Sequence, residues 1–202
     1  QCINYTRADG SGIAGGGDFS DGGEAGGAAR TLGNTDAYDF ALETNNVEQL
    51  QIEGSATGTG IVTMPNQSSC RAYSTVDTSV ATSTIVQLTL GGERHDNQGE
   101  FDKDTNHRFT ATLAGRYIVS AGAYITGTND GTLCRLYIYK NGANVESSVS
   151  AQTVNAKNNA ALTYFAAFVL DLAAADYVDI HGWQDGGATE NCKGILSIAK
   201  TA

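Results

Sequence analysis

Short runs of alternating apolar and polar residues cover most of the chain after residue 67. Clusters rich in Gly, Asn and Asp separate these runs, and none has the spacing of three to four residues that marks an amphipathic helix. Repeated short strands with such turns predict an all-β, antiparallel jelly-roll sandwich. The predicted strands are residues 70–76, 85–90, 108–112, 116–126, 133–140, 161–172, 176–183 and 194–200, with an edge strand plus loop in residues 147–160.

Three local signals predict how these strands are built. Gly115 can take a positive φ without strain, so it suits the sharp corner between residues 108–112 and 116–126. The strand that follows begins near Tyr117, and its odd positions are expected to fill the core. Asn141-Gly142 is the strongest two-residue hairpin signal in the chain.

Two of the predicted strands are apolar on both faces, which a sandwich strand in a monomer does not require. In residues 136–139, two aliphatic side chains face one way and two tyrosines face the other. In residues 162–169, Phe165, Ala167 and Val169 form one apolar set, and the alternate positions form a second. We therefore predict that one face contacts the core and the other contacts another copy, with a covering loop as the alternative. The predicted trimer-interface residues are Tyr137, Tyr139, Tyr164 and Phe168.

The first 66 residues have a different pattern. Residues 1–32 contain GSGIAGGGDFSDGGEAGGAAR, in which about half of the positions are Gly, and they predict a flexible arm or tether. Residues 33–66 contain short alternating stretches around Asn45-Asn46 and end near Pro65, the single proline. They predict hairpin strands that need neighbours to be stable. The predicted division is an arm (1–32), a short β segment (33–66) and a head domain (67–202).

Composition narrows the classes of partner. The 202 residues include 12 Lys and Arg against 22 Asp and Glu, for a net charge of −10, and the basic residues do not cluster. Because phosphate recognition draws on clustered Lys and Arg, we expect no nucleic-acid binding. The sequence has no run of about 18 apolar residues, so we expect no membrane insertion.

Residue types that carry catalysis are present without a recognisable pattern. The histidines have no H-x-x-x-H spacing, and no G-x-S-x-G elbow occurs, so we predict that the chain is not an enzyme and uses no cofactor. Side-chain oxygens in two turns, those of Asp102 with Asp104 and of Asn129 with Asp130, are ligands suited to calcium, but solvated turn residues are the favoured interpretation.

The four cysteines are far apart and form no C-x-x-C pair, which argues against a zinc site. They are Cys2, Cys70, Cys134 and Cys192. The sequence leaves open whether they form disulfides, and a small buried side chain is favoured for Cys134 because leucines flank it.

The loop HGWQDGGATEN, residues 181–191, is the best candidate for a recognition surface. It holds the only tryptophan, Trp183, beside Gln184 and Asp185 in a glycine-flanked turn. An exposed aromatic ring with an adjacent amide and carboxylate suits recognition of a sugar or a protein. We predict Trp183, Gln184 and Asp185 as binding residues, with Trp183 as a cap on the sandwich as the alternative.

A series of motifs along the head occurs in the order found in one known family. The matching residues are Asn97, Phe101, Asp102, Arg108, Phe109, Thr110, Gly115, Tyr117, Lys140, Asn141, Gly142, Leu170, Leu172, Asp176, Val178 and Gly194. Over about the last 130 residues the chain resembles the globular head of complement component 1q and its tumour-necrosis-factor-like relatives. The resemblance implies a trimeric jelly roll. The chain departs from the family pattern at two positions. Ala175 stands where the family usually has Gly, and Ile195 stands where the family usually has an aromatic residue. The chain also has no collagen-like repeat before the head.

Residues 33–54 resemble a short segment that recurs in bacteriophage tail fibres. The matching residues are Leu42, Thr44, Asn45, Asn46, Glu48, Leu50 and Ile52. Together the two resemblances imply a structural protein of a phage virion, either a fibre or a capsid decoration protein. Its N-terminal region would attach to other virion proteins, and its trimeric head would adsorb to a host-surface glycan or protein. The alternative is a secreted or cell-surface complement-like binding module, extracellular and non-viral.

Overall fold

The computed structural model describes residues 37–54, 60–145, 154–155 and 162–201, with side chains of the last range from residue 165 onward. Every regular element in these ranges is a β-strand, which confirms the predicted all-β class. The same ranges contain no helix with the length and apolar character that crossing a bilayer requires. The predicted arm, Cys2 and most of the predicted edge segment lie outside the described residues.

The described residues form sixteen strands. They are β1 (Phe40–Thr44), β2 (Val47–Ile52), β3 (Val62–Thr63), β4 (Ser69–Tyr73), β5 (Thr78–Val80), β6 (Val86–Gln87), β7 (Gly92–Asp96), β8 (Phe101–Asp102), β9 (Arg108–Thr110), β10 (Gly115–Thr126), β11 (Leu133–Lys140), β12 (Ala143–Asn144), β13 (Val154–Asn155), β14 (Leu162–Leu172), β15 (Tyr177–Gln184) and β16 (Glu190–Lys200).

The chain divides into two compact units, residues 1–64 and residues 65–202. The described part of the first unit is an antiparallel sheet in the order β1-β2-β3. Asn45 and Asn46 join β1 to β2 with φ values of 51° and 58°. Two successive positive φ values are typical of the tight hairpin turn that Asn favours, in agreement with the hairpin predicted there.

The second unit, the head, is a sandwich of two antiparallel sheets. One has the order β14-β10-β16-β4-β7, with β5 paired to β16. The other has the order β12-β11-β15-β9-β8, with β13 paired to β11 and β6 paired to β15. These non-consecutive neighbours are the crossovers expected of a jelly roll.

The core lies between the two sheets of the head, and β10 shows how the sequence builds it. Tyr117, Val119, Ala121 and Ile125 are each at most 1% exposed, so the predicted odd positions face the core. Gly115 begins this strand with a φ of 156°.

The first and last strands of the head meet at one end of the sandwich. The backbone N–H of Lys200 donates to the carbonyl of Ser68 at 2.9 Å, and the N–H of Thr201 donates to the carbonyl of Arg116 at 2.7 Å. The loop predicted over residues 181–191 is shorter than expected, since Trp183 and Gln184 belong to β15, and residues 185–189, the Trp183 loop, form the connection. β16 starts directly after it at Glu190 and runs eleven residues to this end. At about 3.3 Å per residue, the Trp183 loop therefore lies roughly 35 Å from the point where the chain enters the head.

Candidate functional site

One face of the β14-β10-β16 sheet is apolar and exposed. The even positions of β10 point away from the core, and the register places Ile118 opposite Val169 and Gly122 opposite Phe165. Ile118 is 49% exposed, Phe165 65% and Val169 61%. Because these side chains adjoin across paired strands, they form a patch rather than scattered single residues. A contiguous patch of this kind marks an interaction surface.

A groove of about 390 Å³ crosses the middle of this face. Gly122 forms its floor, because a Cβ at this position would lie 2.6 Å from the Phe165 ring. The Phe165 ring lies close to Gly122, and a larger residue at this position would displace the ring. Arg71 and Lys193 line the groove on the side of β4 and β16. The surface thus combines an apolar centre with a cationic rim, as protein interfaces commonly do.

The predicted interface residues do not all lie on this face. Phe168 pairs with Val119 and packs half-buried against the core cluster, so Phe165 and Val169 are the outward apolar residues of β14. Tyr137 and Tyr139 lie on the outer side of the other sheet, and Tyr137 is only 6% exposed. The side chain of Tyr164 lies outside the described residues. Any role of these four residues in assembly stays a prediction.

Trp183 lies at the end of β15 farthest from the point where the chain enters the head. It pairs across strands with Arg135, whose guanidinium carbon lies 4.7 Å from the centre of the indole ring. This cation–π contact holds the half-buried ring on the outer side of the sheet. The exposed residue Asp185 accepts a hydrogen bond from the backbone N–H of Leu133 at 2.7 Å, which fixes the start of the loop. Ring and carboxylate are therefore positioned by the sandwich itself.

Gln184 is fully buried, in contrast to the expectation that it lies on the surface beside Trp183. Its Nε2 donates to the carbonyls of Val80 and Ala188 at 3.0 and 2.6 Å, and its Oε1 accepts from the N–H of Gly186 at 2.6 Å. The amide holds the Trp183 loop against the end of β5. This correction follows from strand alternation, which directs neighbouring side chains to opposite faces.

A row of aromatic residues follows the outer side of β11 and β15. The rings of Tyr139 and His181 stack with centroids 3.9 Å apart, and Nε2 of His181 lies 3.4 Å from Oδ1 of Asp179. Burial, followed by the nearby Tyr137 and Asp179, raises the pKa of Tyr139. This row was missed in the sequence because its members alternate along two strands whose pairing only the fold establishes.

Comparison with known proteins identifies the fold of the head. No family model matches the sequence, and no curated protein matches it. The structure superposes on the globular domain of the zebrafish complement 1qA protein with a TM-score of 0.51 and 16% identity, over 68% of this chain and 98% of that chain. The head has the complement 1q and TNF-like jelly-roll fold.

Two further solved structures align less closely with this complement-like head. Eiger TNF from S. frugiperda aligns with a TM-score of 0.47 and 11% identity, over 67% of this chain and 93% of that chain. Murine APRIL at pH 5.0 aligns with a TM-score of 0.46 and 10% identity, over 67% of this chain and all of that chain. The resemblance stated from the motifs is confirmed for the fold.

Two separated motifs of the complement-like head meet at Asp176. Its Oδ1 accepts from Nδ2 of Asn141 at 2.7 Å, and its Oδ2 accepts from Nζ of Lys140 at 2.9 Å and from the N–H of Ala173 at 2.8 Å. The Asn141 amide, followed by the Lys140 ammonium, lowers the pKa of Asp176 to about 2. Asn141 and Gly142 have φ values of 51° and 76°, as the predicted hairpin requires.

The position that departs from the family pattern has an unfavourable backbone conformation. Ala175 has a φ of 71°, in the left-handed region. The N–H of Asp176 donates to the carbonyl of Ala173 at 3.1 Å and closes a turn in which Ala175 is the third residue. A positive φ at this position is the geometry of a type II turn, which normally uses Gly. The alanine in this chain therefore carries backbone strain.

The carboxylate of Asp102, in the acidic turn of the complement-like head, is hydrogen-bonded within that turn. Asp102 accepts hydrogen bonds from the backbone N–H groups of Asp104, Thr105 and Asn106, and these bonds, that of Thr105 first, lower its pKa. Such bonds support the favoured interpretation of a turn residue. Across the described ranges, no group of three or more His, Cys, Asp or Glu side chains is arranged to hold a metal ion.

Three cysteines of the head are buried. Cys70, Cys134 and Cys192 are each at most 1% exposed, which agrees with the buried side chain favoured for Cys134. Burial raises the pKa of the Cys70 thiol to about 12 and that of the Cys134 thiol to about 11. Thiols in this state act as small apolar side chains of the core.

Proposed function

We propose that this chain is a structural protein of a bacteriophage virion, a fibre or capsid decoration protein, whose head forms a homotrimer and adsorbs to the host surface. The observation that carries the proposal is the exposed apolar face of β10 and β14. The proposal assigns assembly and binding to the chain, and no catalytic step.

The apolar face supports assembly because its exposure is costly in a separate protomer. Ile118, Tyr124, Phe165 and Val169 are 43% to 65% exposed on one side of one sheet. At about 25 cal/mol per Å² of apolar surface removed from water, covering this face stabilises an assembly. The stoichiometry of three is what the resemblance to the complement family implies.

The arrangement of the head supports display of the Trp183 loop. The chain enters the head at the end where β4 and β16 meet, and the Trp183 loop lies at the opposite end. A head attached at its entry end would present this loop outward. The indole ring, held by Arg135, and the carboxylate of Asp185 then suit contact with a host glycan or protein.

The resemblance of residues 33–54 to a fibre segment supports the virion assignment and attachment to other virion proteins through the N-terminal region. The alternative is an extracellular complement-like binding module of non-viral origin, favoured by the superposition on an animal complement domain. Mass spectrometry of purified virions distinguishes the two. Peptides of this chain at constant stoichiometry in the particles are expected, and their absence from the particles would favour the alternative.

The trimer is tested with a matched pair of valines. Val169 on the apolar face is 61% exposed, and Val76 in a separate loop of the head is 56% exposed. We expect Val169→Asp to reduce the light-scattering mass from three protomers to one at micromolar concentration, because an unpaired carboxylate would be buried in the contact. Val76→Asp should stay trimeric. A parent protein that is monomeric would refute the assembly.

The adsorption role is tested with Trp183→Ala. We expect this variant to stay trimeric and to lose most of its binding to host cells, since tryptophans are enriched among the few residues that carry most of the binding energy of an interface. Trp183→Tyr, which keeps an aromatic ring beside Arg135, should retain part of the binding. A trimeric Trp183→Ala variant with unchanged affinity would remove the loop from the proposal.

A further inference from the structure

The small sheet of the N-terminal unit has one wholly apolar face. The register pairs Phe40 with Ile52, Leu42 with Leu50 and Ile52 with Val62. Paired residues lie on the same side of a sheet, so these five side chains share one face. No polar residue stands between them on the three strands.

The opposite face of the same sheet is polar and internally bonded. Nε2 of Gln51 donates to Oδ2 of Asp39 at 2.7 Å, and Oγ1 of Thr63 donates to Oε1 of Gln51 at 3.5 Å. Near the turn between β1 and β2, Glu43 pairs with Glu48 across the strands and adds two carboxylates to this polar face. The sheet is therefore one-sided.

The apolar face is exposed where the structure describes this unit. Leu42 is 49% exposed, Ile52 39% and Val62 60%. The described strands of the unit form a single layer, and a three-stranded sheet needs its apolar face covered to be stable. A second surface is therefore required for this sheet to persist.

The size of the face restricts what that surface can be. β1 and β2, of five and six residues, span about 17–20 Å, and β3, of two residues, spans about 7 Å; at about 4.8 Å per strand they give a face of roughly 200 Å². A stable contact between separately diffusing proteins takes about 800 Å² from each partner. This face is too small for an independent partner, but it suffices for a surface held nearby at an effective concentration of order millimolar. Other copies of the same sheet, each joined by a few residues to a head in one trimer, meet that condition.

We propose that the apolar faces of the β1-β2-β3 sheets of neighbouring copies pack against one another, and so form a second contact besides that of the heads. This inference rests on the proposed trimer, because head assembly supplies the local concentration. The occupant of the face is a copy of the same sheet. The contact forms only in the full chain.

The experiment places single cysteines on the two faces of β2 in the full chain carrying Cys2→Ser. Ile52→Cys lies on the apolar face, and Gln51→Cys, at a position paired with Ala41 and Thr63, lies on the polar face. The three remaining thiols of the head are buried and do not react in the native protein. Light scattering first establishes the mass of each variant. A short bis-maleimide is then added, and cross-linked dimers are quantified on a denaturing gel at several dilutions.

We expect both variants to be trimeric, with about tenfold more cross-linked dimer for Ile52→Cys than for Gln51→Cys, independent of dilution. Val62→Cys, on the edge strand of the same face, should reproduce the result if Ile52→Cys disturbs the sheet. Trimeric variants that cross-link equally would overturn the inference alone. So would an Ile52→Cys thiol that neither cross-links nor reacts with a monofunctional maleimide, because another part of the chain would then cover the face. Monomeric variants would overturn the proposed trimer together with this inference.

Discussion

Replacing Ala175 with glycine should stabilise the head. Ala175 has a φ of 71° at the third position of the turn between β14 and β15, and its side chain is exposed. A residue with a Cβ in the left-handed region costs roughly 1–2 kcal/mol. Glycine relieves that strain, but its greater freedom in the unfolded chain costs about 0.5–1 kcal/mol. Because no packing is lost, we expect Ala175→Gly to raise the free energy of unfolding by about 0.5–1 kcal/mol.

The neighbouring Ala174 provides the control, since it is also exposed and its φ is not positive. Ala174→Gly should lower the free energy of unfolding by about 0.5–1 kcal/mol, because only the entropic cost applies. Urea denaturation of the parent and both variants, at one protomer concentration, measures the difference. If Ala175→Gly destabilises the head as much as Ala174→Gly does, the left-handed strain at this turn is refuted.

Two further substitutions test contacts within the head. Asp176→Asn should lower the unfolding free energy at neutral pH, because the hydrogen-bonded carboxylate stabilises the folded head. The folded pKa of Asp176 is lowered to about 2, so the parent should lose this stabilisation as the pH falls from 3.8 towards 2. Denaturation across that pH range should show the gap in unfolding free energy between parent and variant closing. Gln184→Ala should cost roughly 1–3 kcal/mol in the same assay, because buried backbone groups lose their partners. A loss within experimental error would mean that those groups find other partners.

The turns and core of the head could be predicted from the sequence because local rules determine them. Asn141-Gly142 forms the expected hairpin with two positive φ values, since few other residue pairs accept that geometry. The odd positions of β10, from Tyr117 to Ile125, face the core because alternation fixes which residues share a side.

The assembly face could be predicted less well, because its definition depends on strand pairing. Both alternating sets of β14 are apolar, so the period alone cannot decide which set is inside. The register decides it by pairing Phe168 with the buried Val119 and Phe165 with Gly122. Both pairs join residues more than forty positions apart in the sequence.

The burial of Gln184 could have been predicted from the alternation of apolar residues along β15. Its position beside Trp183 suggested a shared surface, yet the alternation of β15 continues through it. Val178, Ile180 and Gln184 are each fully buried, at every second or fourth position. Following the period to the end of the strand would have placed the amide inside.

The adjacency of the first and last strands of the head makes it a transferable unit. β4 and β16 are paired neighbours, with Ser69 opposite Ala199, so the two ends of the head lie about one strand spacing apart. A domain whose ends are this close can be inserted into a loop of another protein with little disturbance of that protein's fold. The head could thus be moved into a surface loop of an unrelated scaffold, or circularly permuted there, without breaking a β-strand.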